Sequence, residues 1–169
     1  MIVVDANFLV LLLDPPEADT TGLDRGHERV QYAIEQLGKS KTEIMIPTAV
    51  VSEIVAGRVD RVAEIMDQLR PPRFIIQDFD LVIAIETGVI MRREFDSRRP
   101  EDRPPHWKAM AKFDAMVAAT AIVRRADRVY THDKGIRRLL VGSGIECVML
   151  EDLPYPPEPP QPRLPHVDP

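Results

Sequence analysis

Short apolar runs alternate with longer segments of helical spacing along the whole chain. Ile2-Val3-Val4 is a β-branched run ending in Asp5 and predicts a buried strand. Phe8 to Leu13 predicts a short buried helix, closed by Asp14-Pro15-Pro16. The polar stretch from Ala18 to Gly26 predicts a loop. From His27 to Leu37 the apolar positions Val30, Ala33, Ile34 and Leu37 recur at helical spacing. Glu43 to Ile46 predicts a second strand, and Thr48 is the expected cap of a helix running to Gly57. A further helix is expected from Val59 to Leu69, a third strand over Phe74 to Ile76, and a longer helix over Leu81 to Phe95. After a proline- and arginine-rich linker, Phe113 to Val123 predicts a buried helix with Asp114 at its start. Val129-Tyr130 then predicts a strand, Lys134 to Val141 a helix, and Glu146 to Leu150 a last strand. This alternation predicts an α/β fold, a three-layer α/β/α sandwich with a mainly parallel central sheet.

The boundaries follow from composition. One domain is expected over residues 1–153, with a basic insertion at about 97–108. The tail 154–169 carries proline at 154, 156, 157, 159, 160, 162, 165 and 169, which excludes helix and sheet and predicts an extended, solvated segment. A single cysteine, Cys147, rules out an internal disulfide and predicts a reducing, cytoplasmic setting. The six apolar residues Phe8 to Leu13 fall far short of a membrane span, so no membrane partner is expected.

Net charge is −5 and the pI about 5.4, so any nucleic-acid surface must be a local basic stripe on an acidic body. Arg92, Arg93, Arg98, Arg99, Arg103, Lys108 and Lys112 form one candidate stripe; Arg124, Arg125, Arg128, Lys134, Arg137 and Arg138 form another. Arg124, Arg125 and Arg128 also have a simpler account, as cations at a helix C-terminus. Trp107 is read as a cover on the core in preference to a stacking platform.

The chemistry resides in acids. Asp5 and Asp133 each follow a strand, and in open parallel sheets the ligand crevice lies beyond the carboxyl ends of the strands. Asp114 and Glu53 stand on helices whose starts fall near that edge if the crossovers are right-handed. Asp5, Asp114 and Asp133, each taken alone, are as well read as helix caps. Together, with Glu53 inside an apolar helix, they favour a site. Four acids in one cleft repel one another unless a cation sits among them, and oxygen ligands select Mg²⁺ or Mn²⁺. His27, His106, His132 and His166 are scattered without metal-ligand spacing.

The segments M-I-V-V-D-A-N-F-L-V at 1–10, S-E-I-V-A-G at 52–57, K-F-D-A-M-V-A-A-T-A at 112–121 and T-H-D-K-G-I at 131–136 resemble the PIN-domain family, closest to the VapC-type toxins of toxin–antitoxin pairs. The resemblance implies that Asp5, Glu53, Asp114 and Asp133 are the acidic quartet, catalytic and metal-holding, with Glu53 acting directly or through water. It implies that Asn7 and Thr131 support the first and last acids. It further implies Mg²⁺- or Mn²⁺-dependent hydrolysis of RNA phosphodiester bonds, a cognate antitoxin and a homodimer. Lys112, Arg92, Arg93 and Lys134 are candidate RNA contacts. A catalytically silent PIN scaffold that binds RNA or a protein is the alternative. The insertion and the tail depart from a compact toxin.

Overall fold

A computed structural model describes residues 1–16, 21–97 and 107–158. The elements run β1 (Ile2–Val4), α1 (Ala6–Leu13), α2 (Gly26–Lys39), β2 (Ile44–Pro47), α3 (Thr48–Ala56), α4 (Val62–Gln68) after a 3₁₀ turn at Val59–Arg61, β3 (Phe74–Gln77), α5 (Leu81–Ser97), α6 (Trp107–Val123), β4 (Arg128–Thr131), α7 (Lys134–Leu139) and β5 (Glu146–Met149). Among the described residues the sheet has five strands in the order β3-β2-β1-β4-β5, and every pairing is parallel. Helices pack around it as the expected α/β/α sandwich.

The three residues of β1 and the four of β2 are buried throughout, which is why they read as unbroken apolar runs and not as an alternation. Each fully buried Ile or Leu of this core, such as Ile44, Ile46, Leu9 and Leu11, contributes roughly 1.5–3 kcal/mol. On α2 the predicted stripe Val30, Ala33, Ile34 and Leu37 is the face turned inward.

The strand order places a topological switch between β1 and β4. The chain leaves β1 toward β2 and β3, then returns to β1's other side as β4. The connections on the two sides diverge there and leave a crevice at the carboxyl ends. Val4 pairs with Tyr130, so Asp5 and Thr131 emerge side by side, and the Asp5 N–H donates to the Tyr130 carbonyl at 3.2 Å.

Three local expectations are corrected. Thr48 is the first residue of α3 and caps nothing; Pro47 precedes the helix, and the Thr48 hydroxyl accepts from the Phe79 N–H at 3.0 Å, tying β2 to the turn after β3. The segment Val59 to Leu69 is a 3₁₀ turn followed by a short helix. Finally, α6 begins at Trp107, so Asp114 lies two turns inside it and caps no helix end. Trp107, Ala111, Ala115 and Ala118 form a continuous buried helical stripe that the charged residues 108 and 112 interrupt in the sequence.

Most of the basic insertion, including Arg98, Arg99 and Arg103, lies outside the described residues, as does the tail beyond residue 158. So do Ala18 and part of the polar loop, His106 and His166. The start of the tail is docked. The buried Arg29 guanidinium donates to the carbonyls of Glu151 and Leu153 and lies 3.8 Å from the Tyr155 ring centroid, while the Tyr155 hydroxyl donates to Asp24 at 2.7 Å.

Candidate active site

Asp5, Glu53, Asp114 and Asp133 line one cleft of ≈ 300 Å³ at the switch point, together with Asn7 and an apolar wall from α6. The four acids come from four places in the chain: the end of β1, the middle of α3, the middle of α6 and the turn after β4.

Asp5 is 3% exposed and is both helix cap and cleft residue. Its Oδ1 accepts from the Phe8 N–H at 2.9 Å; its Oδ2 accepts from the Thr131 hydroxyl and from the His132 N–H at 3.2 Å. Burial nonetheless dominates and raises its carboxyl above the ordinary value, opposed by these donors and by the Asn7 amide. Thr131, wholly buried, works in two directions, because its oxygen also accepts from the Asp133 N–H at 2.9 Å. One hydroxyl thus fixes Asp5 and the backbone of Asp133 relative to each other. Asp133 caps α7 by accepting from the Gly135 N–H.

Asp114 has a different environment. Its carboxyl is pushed up to about 7, first by burial and then by the charge of Asp133, with Glu53 and Asp5 adding to the push and Arg138 opposing it. Glu53 is exposed at the lip of the cleft, which corrects the expectation of a charge enclosed by an apolar helix. Partial enclosure and the charges of Asp5 and Asp133 raise its carboxyl too. Burial leads the upward push on all three acids, and at Asp114 and Glu53 the neighbouring carboxylates add to it, which marks the cleft as a candidate site.

Gly135 was not singled out by sequence reasoning. A Cβ at this position would stand 2.3 Å from Asp114 Oδ2 and 2.8 Å from Asp133 Oδ1, so only glycine lets α7 bring these two carboxylates together as they stand. The signal was available as the glycine two residues after Asp133, in a helix where glycine is otherwise unfavourable. Also missed were Met110, 64% exposed, and Phe113, 43% exposed, which with Ala109 and Val117 form the apolar wall. Arg138 lines the adjoining part of the cleft with Trp107, Asp114, Asp133 and Gly135.

Lys112, Arg92, Arg93 and Lys134 are exposed and line neither part of the cleft. Arg92 pairs with Asp96 at 3.0 Å. Within the second basic run, Arg124 pairs with Asp80 and Arg128 with Glu146. Trp107 is buried and meets Phe95 edge to face at 5.2 Å between centroids, as its reading as core cover expected.

An open parallel α/β sheet with an acid-lined crevice at its switch point is the class of protein that fold and cleft define. The family profile described as "PIN domain" matches residues 2–140, and the chain belongs to that family. Its members are generally nucleases. Solved structures of similar fold include VapBC2 from Rickettsia felis bound to a DNA fragment from its promoter, with a TM-score of 0.56, 17% identity, and coverage of 88% of this chain and 98% of that one. They also include DNA-bound VapBC from Salmonella typhimurium, with a TM-score of 0.55, 18% identity, and coverage of 88% and 97%. No curated protein sequence matches this chain. Among the described residues no helix is long and apolar enough to cross a membrane.

Proposed function

We propose that this protein is a metal-dependent endoribonuclease, the toxin of a toxin–antitoxin pair, acting through Asp5, Glu53, Asp114 and Asp133. The observation that carries the reading is the convergence of these four acids on one cleft in a PIN-domain fold.

The donor set fits Mg²⁺ or Mn²⁺. It consists of hard carboxylate oxygens, and their mutual repulsion, strongest at Asp114, is what a divalent cation relieves. Among the described residues no three His, Cys, Asp or Glu side chains are gathered as a ready-made metal site. Asp5, Asp114 and Asp133 would hold the ion, with Glu53 as a direct ligand or one acting through water. When bound, such an ion lowers the pKa of a water and offsets charge on the phosphodiester. The protein's own part is positional. Thr131 and the Phe8 and His132 amides hold the Asp5 carboxylate in one orientation, and Gly135 leaves room for Asp114 beside Asp133. The carboxyl of Asp114, raised to about 7, can exchange a proton near neutral pH in the absence of metal, and that of Glu53 is shifted in the same direction.

The same cleft suits a basic side chain from an antitoxin, and the two fold neighbours are VapBC complexes. A homodimer has a candidate face on α5, where Leu81, Val82, Ile85 and Val89 are exposed.

The test is cleavage of RNA by purified protein in Mg²⁺ or Mn²⁺ and in chelator, beside Asp5→Asn and Asp114→Asn. Metal-dependent cutting lost in both variants supports the reading. A folded protein that binds Mn²⁺ and cuts no RNA replaces it with the silent scaffold.

A further inference from the structure

The cleft described above is not purely acidic. Among the described residues, Arg138 is the one basic side chain that lines either part of it. It stands on α7, five residues after Asp133, and its Nη2 donates to Glu94 Oε1 at 2.7 Å. Glu94 is 5% exposed and belongs to α5, which packs against α6. Arg138 itself is about half exposed, and its Nε and Nη1 carry no hydrogen bond to any described residue.

This arrangement differs from an ordinary surface ion pair. The carboxylate is buried and anchors one corner of a planar, five-donor fork, while the rest of the fork is left in the cleft beside Asp114 and Asp133. Glu94 restricts the side chain at one nitrogen and leaves the others available, so little rotamer entropy is lost when they meet an acceptor. Met110 lines the same part of the cleft as Arg138, and Phe113 the adjoining part.

We propose that Arg138, held by Glu94, binds a phosphate of single-stranded RNA next to the acidic quartet and so fixes the strand across the cleft. The proposal rests on the nuclease reading for its choice of ligand. In it, Arg138 is a substrate-binding residue and Glu94 a positioning residue that acts through it.

The test is fluorescence anisotropy of a labelled single-stranded oligoribonucleotide with 2′-O-methyl sugars, in Ca²⁺ to offset the acids, over a range of salt concentrations. Arg138→Gln is expected to weaken binding about ten-fold, with the salt slope shallower by about 0.7. Arg138→Lys keeps the charge and hence the slope, but recovers only part of the affinity, because a point charge does not serve both partners as a fork does. The double variant Glu94→Gln/Arg138→Gln leaves no buried carboxylate without its cation. It is expected to fold like wild type and to bind as weakly as Arg138→Gln. Wild-type affinity and slope in folded Arg138→Gln would overturn the proposal, as would a wild-type protein that does not bind the oligonucleotide. Loss of the Arg138 binding signature in a protein that still cleaves RNA sinks this inference alone. The signature without cleavage sinks the nuclease reading alone.

Discussion

Asp14 is buried and Asp114 half-buried, and the protein treats these two carboxylates in opposite ways. Asp14 ends α1 and receives Arg58 and Arg61, with Arg61 Nη1 at 3.1 Å and Arg58 bonded through both Nε and Nη2. Hydrogen bonding to Arg58 leads the causes that hold its carboxyl below the ordinary value. Burial first, and then the charges of Asp133, Glu53 and Asp5, push the Asp114 carboxyl up to about 7. The first region is a clamp between α1 and the 3₁₀ turn, with its charges matched. In the second the mismatch is left standing, and an incoming cation can relieve it. Burial leads at Asp114 and neighbouring acids add to it, whereas at Asp14 bonded guanidinium groups outweigh burial; that local balance separates a structural acid from a candidate catalytic one.

The contrast can be broken at either end. The largest effect is expected from Asp5→Asn, which should lower metal-dependent RNA cleavage by about a hundred-fold or more with the fold retained, measured by single-turnover assays. At the matched end, Asp14→Ala should cost about 2–3 kcal/mol in urea unfolding and leave the cleavage rate per folded molecule unchanged. That cost should fade in acid: a lowered carboxyl contributes stability that is present above the unfolded value near 3.8 and lost as pH falls through the folded one.

A subtler break is Gly135→Ala. Its methyl must displace the Asp114 and Asp133 carboxylates, and cleavage should drop about ten-fold with a change in the Mn²⁺ requirement. The smallest effect sharpens the comparison through pH. A raised carboxyl means that the folded protein binds the proton more tightly than the unfolded one, so its contribution to stability falls as pH rises from about 4 to 7. In chelator at neutral pH, Asp114→Asn should therefore be more stable than wild type. Allowing for solvent screening, the gain is on the order of 1 kcal/mol, vanishing near pH 4. Urea titrations at the two pH values check it; equal stability of wild type and variant at pH 7 would remove the claim of unmatched charge.

The residues legible from sequence were those whose role is written locally. Asp5 and Asp133 each end an apolar run, so strand, exit and acid were adjacent in the chain. Asp114 was found but misplaced, since the helix that carries it begins among charged residues whose buried neighbours Trp107 and Ala111 are spaced by exposed ones. Glu53 was found, with its surroundings misjudged: an apolar helix says how many of its residues face inward, but not which edge borders a cleft.

What the sequence determined was the order of strands and helices and the parallel sheet, because periodicity and strand ends are short-range properties; it also proposed four acids, and these line one cleft. Tertiary structure alone decided which charges meet. Glu94 and Arg138 are 44 residues apart and join only where α5 and α7 both reach α6. Gly135 matters only because Asp114, 21 positions earlier in the numbering, comes to lie against it. Electrostatic energy depends on distances in space and on what water is excluded, and neither quantity is set until the chain has closed its sheet.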